Sequence, residues 1–478
     1  MQRPNILLIV MDTARADFVE DSRVMPYLNE FAKECTWFSN TFANAPWTLP
    51  SHSSIFTGKY PSEHGTGGNK KYFDSERNIV SELNKAGYQT ASFSNNPWIS
   101  PDFGFDDFDT FTPCWQLFRR GADLAAISQE EGIRRQLKML VSKLAKIDAP
   151  FTLANALYMK FIEGKYDSGA ALTNFRLRRW LLDQGEEKPF FAFVNYMEPH
   201  LEYNPPHEHR EKFLDEDDLD RWNKVNQDPW AYLTDSVEMD ETDFQILKQL
   251  YRGELHYLDS RLEQVFTTLK NTGLMDSTAV FVTADHGENL GEHGLMDHQY
   301  SLNEALLRVP LLVHYPDEFE DGGIDDRMVE LRDLYPTILS LAGIETSFES
   351  TEYPPQDLTN NDWGREAVIA EYLSPQPSVS TLSKRYDVRN SKMAEYDRAL
   401  RSIRTADQKL VEGSDGTQQL YRVGEDEMDQ DQTHVEGKKG LAEQLQKVVG
   451  DFDSGLAQSG GRKLPESNRE RLEDLGYL

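Results

Sequence analysis

This 478-residue sequence predicts an α/β protein, a mostly parallel sheet sandwiched by helices with a smaller C-terminal α+β portion. Three observations predict it. Short β-rich apolar runs end repeatedly in polar clusters, amphipathic helical patterns alternate with those runs, and hairpin signals take over beyond Gly343. Continuous apolar strands between amphipathic helices imply a parallel sheet covered on both faces.

In chain order, the predicted strands are NILLIVMD (5–12), QTASFSNN (89–96), PFFAFVNYMEPH (189–200), STAVFVTADHGE (277–288) and VPLLVHY (309–315). Residues 115–185 carry mixed charge at helical period with no strand signal, and predict a helical insertion, for which a lid over the site is one reading. Residues 210–245 read as an acidic, mostly solvated connection. The clearest helix follows, with Leu255, Leu258, Leu262, Val265, Phe266 and Leu269 on one stripe and Gly273 as its stop. After 1–345, taken as the catalytic domain, residues 346–478 predict a strand (EAVIAEYL), a hairpin turning at Ser414-Asp415-Gly416, and an acidic tail from Gly424.

Composition narrows the function classes. A formal charge of −31 repels nucleic acid and anionic lipid, which predicts neither as a partner. Such acidity is similar to that of haloarchaeal proteins. No apolar run reaches the roughly 18 residues of a membrane span. The run Ile6–Val10 is too short for a signal peptide and lacks a cleavage site. Cys35 and Cys114 make neither a disulfide framework nor a thiolate metal site. A cytoplasmic setting is expected.

In a parallel sheet the chemistry gathers beyond the carboxyl ends of the strands. Those ends carry Asp12, Asn95, His200, Asp285 and His286. Two carboxylates and an imidazole, Asp12 with Asp285 and His286, suit one divalent cation, Ca²⁺, Mn²⁺, Mg²⁺ or Zn²⁺. The competing reading makes strand-end acids simple helix caps. His64, His207 and His209 read as surface loop residues, and Arg15 as structural or as a local cation for an anionic substrate.

Six ordered blocks add to this: NILLIVMDTARAD, TLPSHSSIFTGKYP, NYMEPH, TADHGENLGEHG, LLRVPLLV and DLYPTILSLAGI. Together with IRTADQKLVEG and the terminal RLEDLGYL, they resemble the signature blocks of the sulfatase family in the alkaline phosphatase superfamily. The resemblance implies an alkaline-phosphatase-like fold and a hydrolase acting on sulfuric or phosphoric esters. It implies Asp12, Asp285 and His286 as metal ligands, and places Thr48 at the nucleophile position. His52 stands where the family's C/S-x-P-x-R motif has its arginine. His200 matches a substrate-side histidine, and His298 lies near the place of a substrate-binding lysine.

The sequence departs from that pattern in three places. Thr13 replaces a second acid, SNNPW replaces a lysine–histidine pair after GYQT, and neither Cys nor Ser stands at 48. Without them formylglycine cannot form, so threonine itself is the expected nucleophile, activated by a cation and a helix N-terminus. A sulfo-threonine must await attack by water, which phosphoryl chemistry tolerates better. Bimetallic relatives place an Asp, and a His four residues later, where this chain has His200 and Asn204, so one cation is expected. The expected substrate is a small anionic or glycan-linked ester. The alternatives are a phospho-group transferase acting on a soluble acceptor, or a sulfatase-fold binding protein without catalysis.

Overall fold

The structure is a computed structural model. It describes residues 3–452 apart from 68–69, 115–166, 185–187, 217, 349–352, 363, 390–392, 424–428 and 432–437. Most of the predicted insertion, and much of the predicted acidic tail, therefore lies outside the described residues.

Nine strands form the main sheet: β1 (Asn5–Met11), β2 (Thr36–Phe42), β3 (Gln89–Ser94), β4 (Thr110–Pro113), β5 (Phe190–Tyr196) and β6 (Thr278–Ala284) come first along the chain. A small two-stranded ribbon, β7 (Asn289–Leu290) with β8 (Met296–Asp297), interrupts them. The main sheet resumes with β9 (Arg308–Val309), β10 (Leu311–His314) and β11 (Ile324–Glu330). The order is β11-β2-β10-β6-β1-β5-β3-β4, with β9 added to β2. β1, β3, β4, β5 and β6 run parallel, as do β2 and β11, whereas β10 is antiparallel to both neighbours.

The central strands β5 and β6 are buried throughout, and β1 is buried beyond Asn5, because helices cover both faces. Successive strand residues face opposite ways. Phe193 meets Phe56 of the helix Thr48–Thr57 at 5.3 Å, while Phe190 meets Trp180 of the helix Ala170–Leu182 at 5.2 Å on the other side. The long helix Glu241–Thr272 packs with the Trp180 helix. It runs well beyond the predicted stripe in the N-terminal direction and stops at Gly273, φ 72°, as its sequence requires.

Two expectations need correction. The 210–245 connection is not simply solvated: Asp228 caps a short helix, Pro229–Leu233, whose Trp230 is buried. Within the predicted tail, Lys438–Val449 is a helix with Leu441, Leu445 and Val449 buried. It covers the second sheet, β12 (Val368–Tyr372), β13 (Leu400–Arg404), β14 (Gln408–Gly413), β15 (Gln418–Val423) and β16 (Asp429–Asp431), which is antiparallel throughout. Buried ion pairs fasten this sheet to the main body: Glu304 holds Lys409 at 3.0 Å and Arg404 at 3.2 Å.

Candidate active site and cation site

Strand register builds the site. Met11 pairs with Ala284 across β1 and β6, so Asp12 and Asp285 are each the first residue past two matched strand ends. On the other side Met11 pairs with Tyr196, and Ser94 with Asn195, so the segments carrying His200 and Asn96 leave the sheet at the same edge. The helix Thr48–Thr57 enters here. Trp47 is its N-cap residue, so Thr48 is the first helical residue and not the cap. Pro50 sits in the first turn, where a missing N–H leaves no intrahelical bond unmade.

Thr48 Oγ1 lies 3.4 Å from His286 Nε2 and 3.4 Å from Asn96 Nδ2. His286 Nδ1 donates to the Gly287 carbonyl at 2.9 Å, which leaves the Nε2 lone pair facing Thr48 and the carboxylates. Asp285 Oδ2 is 3.4 Å and Asp12 Oδ1 3.9 Å from that nitrogen. Thr13 holds φ 60°, costly for a β-branched residue, and this turn aims its N–H at Asp285 Oδ1, 3.3 Å away. Tyr251 supports the turn by donating to the Thr13 carbonyl at 2.7 Å.

These side chains are fully buried, and two oxygens, Asp12 Oδ1 and Asp285 Oδ2, have no hydrogen bond among the described residues. Burial pushes both carboxyls above their ordinary range, and for Asp285 the neighbouring charge of Asp12 pushes further. Two like charges, two bare oxygens and one available imidazole nitrogen converge, which fits a divalent cation bound between Asp12, Asp285 and His286.

The histidines divide by charge. Burial lowers His52 to about 4 and also lowers His200 and His286, so all three rings are neutral. His52 therefore supplies no arginine-like charge. Its Nδ1 donates to the Thr48 carbonyl at 2.9 Å and stands 3.4 Å from Asp285 Oδ2, a contact that fixes both. His298 is the opposite case. Burial works against its cation, but the contacts with Asp297 and Glu288 win and hold it well above the ordinary range. Its ring centroid lies 4.6 Å from that of His286, with the planes tilted, and 5.3 Å from that of His200, edge to face.

Several sequence expectations change here. Of the two readings of Arg15 the structural one fits, since Asp17 and Glu292 hold its guanidinium at 2.8 and 2.9 Å. His64 is buried, bonded to Ser54 Oγ at 3.1 Å, and His209 is buried against His256 at 2.7 Å; only His207 of that trio is exposed. Asn96 reaches the site, bonding Asp12 Oδ2 at 2.5 Å, while Asn95 turns to the Ser168 carbonyl. Sequence reasoning passed over Ser51, which donates to the Asp285 carbonyl at 2.6 Å, and over Glu288 and Asp297. The acid after ADHG and the acid before His298 were the available signals.

The family model described as Sulfatase matches residues 4–344, and one described as N-sulphoglucosamine sulphohydrolase, C-terminal, matches residues 291–428. Among curated relatives, an arylsulfatase of Clostridium perfringens is 24% identical over 415 residues, covering 81% of this chain and 84% of its own. A solved phosphonate monoester hydrolase from Silicibacter pomeroyi superposes with a TM-score of 0.63 at 22% identity, covering 92% of this chain and 93% of its own. A second solved structure, in complex with D-glucosamine-2-N,6-O-disulfate, gives a TM-score of 0.64 at 18% identity, over 96% of this chain and 100% of its own.

Proposed function

Because this chain belongs to the sulfatase family, we propose that it is a metal-dependent hydrolase cleaving a phosphate or sulfate ester through Thr48. The observation that carries the reading is the position of Thr48 Oγ1, at a helix N-terminus and within 3.4 Å of the His286 nitrogen that also faces Asp12 and Asp285. Asp12, Asp285 and His286 would hold the cation, which supplies Lewis acidity and favours the ionised hydroxyl.

The chain's own residues account for the rest. Thr48 gives up its hydroxyl proton as its Oγ attacks phosphorus or sulfur, the bond to the ester oxygen breaks, and that oxygen leaves with the proton Thr48 released. Water then attacks the same atom and frees Thr48. The helix N-terminus and the Asn96 amide stabilise the attacking oxygen. His298 places positive charge beside the His286 ring, and His200, edge-on to His298, stands ready to relay a proton.

Phosphate esters are the favoured substrates. A formylglycine diol expels sulfate by collapsing to an aldehyde, whereas threonine needs a second displacement, as in phosphoryl chemistry. The phosphonate monoester hydrolase that shares the fold supports this preference. The neighbour complexed with a sulfated glucosamine supports a glycan-linked ester as the alternative carrier of the same group. Buried free Cys35 and Cys114 suit a cytoplasmic setting, and the charge of −31 suits a salty one.

Matched aryl phosphates and aryl sulfates test the reading. Phosphate turnover is expected to be faster, with a burst of the first product and a phosphorylated Thr48 peptide after acid quench. Since Thr48 is fully buried, Thr48→Val is the cleaner variant: it removes the hydroxyl, keeps the volume, and is expected to lose at least ~10³-fold in kcat. Near wild-type turnover in Thr48→Val would make water the nucleophile and end the threonine mechanism.

A further inference from the structure

Beside the Asp12–Asp285–His286 group lies a second cluster. Glu288, Asp297 and His298 each offer one ligand atom within 4.8 Å of the others, and all three are buried. The chain brings them together by a simple device. Glu288 immediately precedes β7, Asp297 closes β8, and Asn289 pairs with Asp297 across the ribbon. Asp297 adopts φ 71°, which turns the chain at the end of β8, and His298 follows directly.

Glu288 is the anomaly. It is 0% exposed, and neither carboxylate oxygen has a hydrogen bond among the described residues. Its nearest cationic atom is His298 Nδ1, 3.7 Å from Oε1, and that nitrogen is already in close contact with Asp297. The buried Tyr203 hydroxyl faces the same carboxylate. A desolvated carboxylate whose facing donors stand beyond hydrogen-bond distance is costly, and a second carboxylate beside it raises the cost. One imidazolium leaves this pair of carboxylates a charge short of neutrality, a deficit that a divalent cation would remove.

We propose that Glu288, Asp297 and His298 form a second divalent-cation site, so that the catalytic pocket holds two cations. Two carboxylate oxygens and one imidazole suit Mn²⁺ or Zn²⁺, with water in the remaining positions. This ligand set comes from the β7–β8 ribbon and owes nothing to the His200 and Asn204 positions. It is independent of the Thr48 mechanism. Its consequence for that mechanism is electrostatic, because a cation at His298 Nδ1 supplies the positive charge otherwise carried by the protonated ring, 4.6 Å from the His286 ring.

Metal stoichiometry tests the proposal without reference to turnover. Metal-stripped full-length protein is dialysed to equilibrium against Mn²⁺, and separately against Zn²⁺, and bound metal is counted by plasma mass spectrometry. Wild type is expected to bind two equivalents with at least one of these metals, Glu288→Gln one, Asp297→Asn one, and Asp285→Asn one. Circular dichroism confirms that each variant is folded, and the two ribbon variants guard against failure of either. If wild type binds one equivalent that Asp285→Asn loses and Glu288→Gln and Asp297→Asn both keep, the second site does not exist and the first stands. If it binds one that Glu288→Gln loses and Asp285→Asn keeps, the second site stands and the first falls. Equal binding by wild type and both ribbon variants overturns the proposal.

Discussion

Gly287 shows how little room surrounds the cation ligands. A Cβ built there would lie 1.9 Å from the Ala305 carbonyl oxygen and 3.1 Å from Arg15 Cγ, and the first of these is rigid backbone. Its N–H donates to the Leu306 carbonyl at 2.7 Å, and its carbonyl accepts from His286 Nδ1. One residue thus sets both the tautomer and the orientation of His286. Gly287→Ala must push the Asp285–His286 turn away from its neighbour, and a displacement of an ångström at the reacting centre costs on the order of 10²-fold in rate. The expected outcome is a fall in kcat of that size with weakened metal binding, measured beside a thermal melt. An unchanged kcat would show that His286 need not stand where it does. The sequence displayed most of this residue set, since Asp12, Thr48, Asp285 and His286 sit at strand ends or at a helix start. It showed Glu288 and Asp297 only as acids beside ADHG and His298, nine residues apart, because the ribbon's pairing register is what makes them neighbours.

At the scale of elements, one of the contacts that tie the C-terminal sheet to the catalytic body is made by a buried acid. Glu371, on β12, accepts the Ser62 N–H at 2.8 Å, just beyond the Thr48–Thr57 helix. Burial pushes its carboxyl up to about 7. The folded chain therefore holds a proton there that the unfolded chain releases near the ordinary carboxylate value. Stability falls as pH rises through that interval and levels off above about 7, a loss of up to ~3 kcal/mol at neutral pH. Glu371→Gln, which cannot ionise, is expected to gain stability over wild type between pH 5 and 7.5, read from urea midpoints. An equal difference at both pH values would remove the assignment. The elements themselves were unevenly legible. β1, β5 and β6 are continuous apolar runs, buried on both faces, and their period announces them. β11 (IDDRMVE) is a charged edge strand paired only with β2, and β2 (TWFSNTF) mixes polar and apolar residues, so neither carries that signal. The helix Lys438–Val449 hides its buried Leu441, Leu445 and Val449 in a polar stretch, and only the sheet beneath it explains the spacing.

For the whole molecule the governing quantity is the charge of −31, 81 acidic against 50 basic side chains. Among the described residues few of the acids are buried, and several of those are matched: Glu330 with Arg332 and Arg365, Glu304 with Arg404 and Lys409. The excess therefore resides largely at the surface, where it acts against the compact state by self-repulsion and against the approach of an anionic ester. Both effects are screened together, since the Debye length falls from about 30 Å at 0.01 M salt to about 3 Å at 1 M. The urea midpoint is expected to rise steeply between roughly 0.01 and 0.5 M NaCl and then flatten, because screening saturates once the Debye length drops below the spacing between charges. Over the same range kcat/KM for a dianionic phosphate ester is expected to rise, while kcat changes little, because the repulsion acts on encounter and not on the buried chemistry around Thr48. A neutral-carrier substrate of lower charge should respond less. A urea midpoint that climbs linearly to high salt would point to salt-enhanced apolar burial instead, and a kcat/KM that falls with salt would mean that the cations at the site, not the acidic surface, govern the approach of substrate.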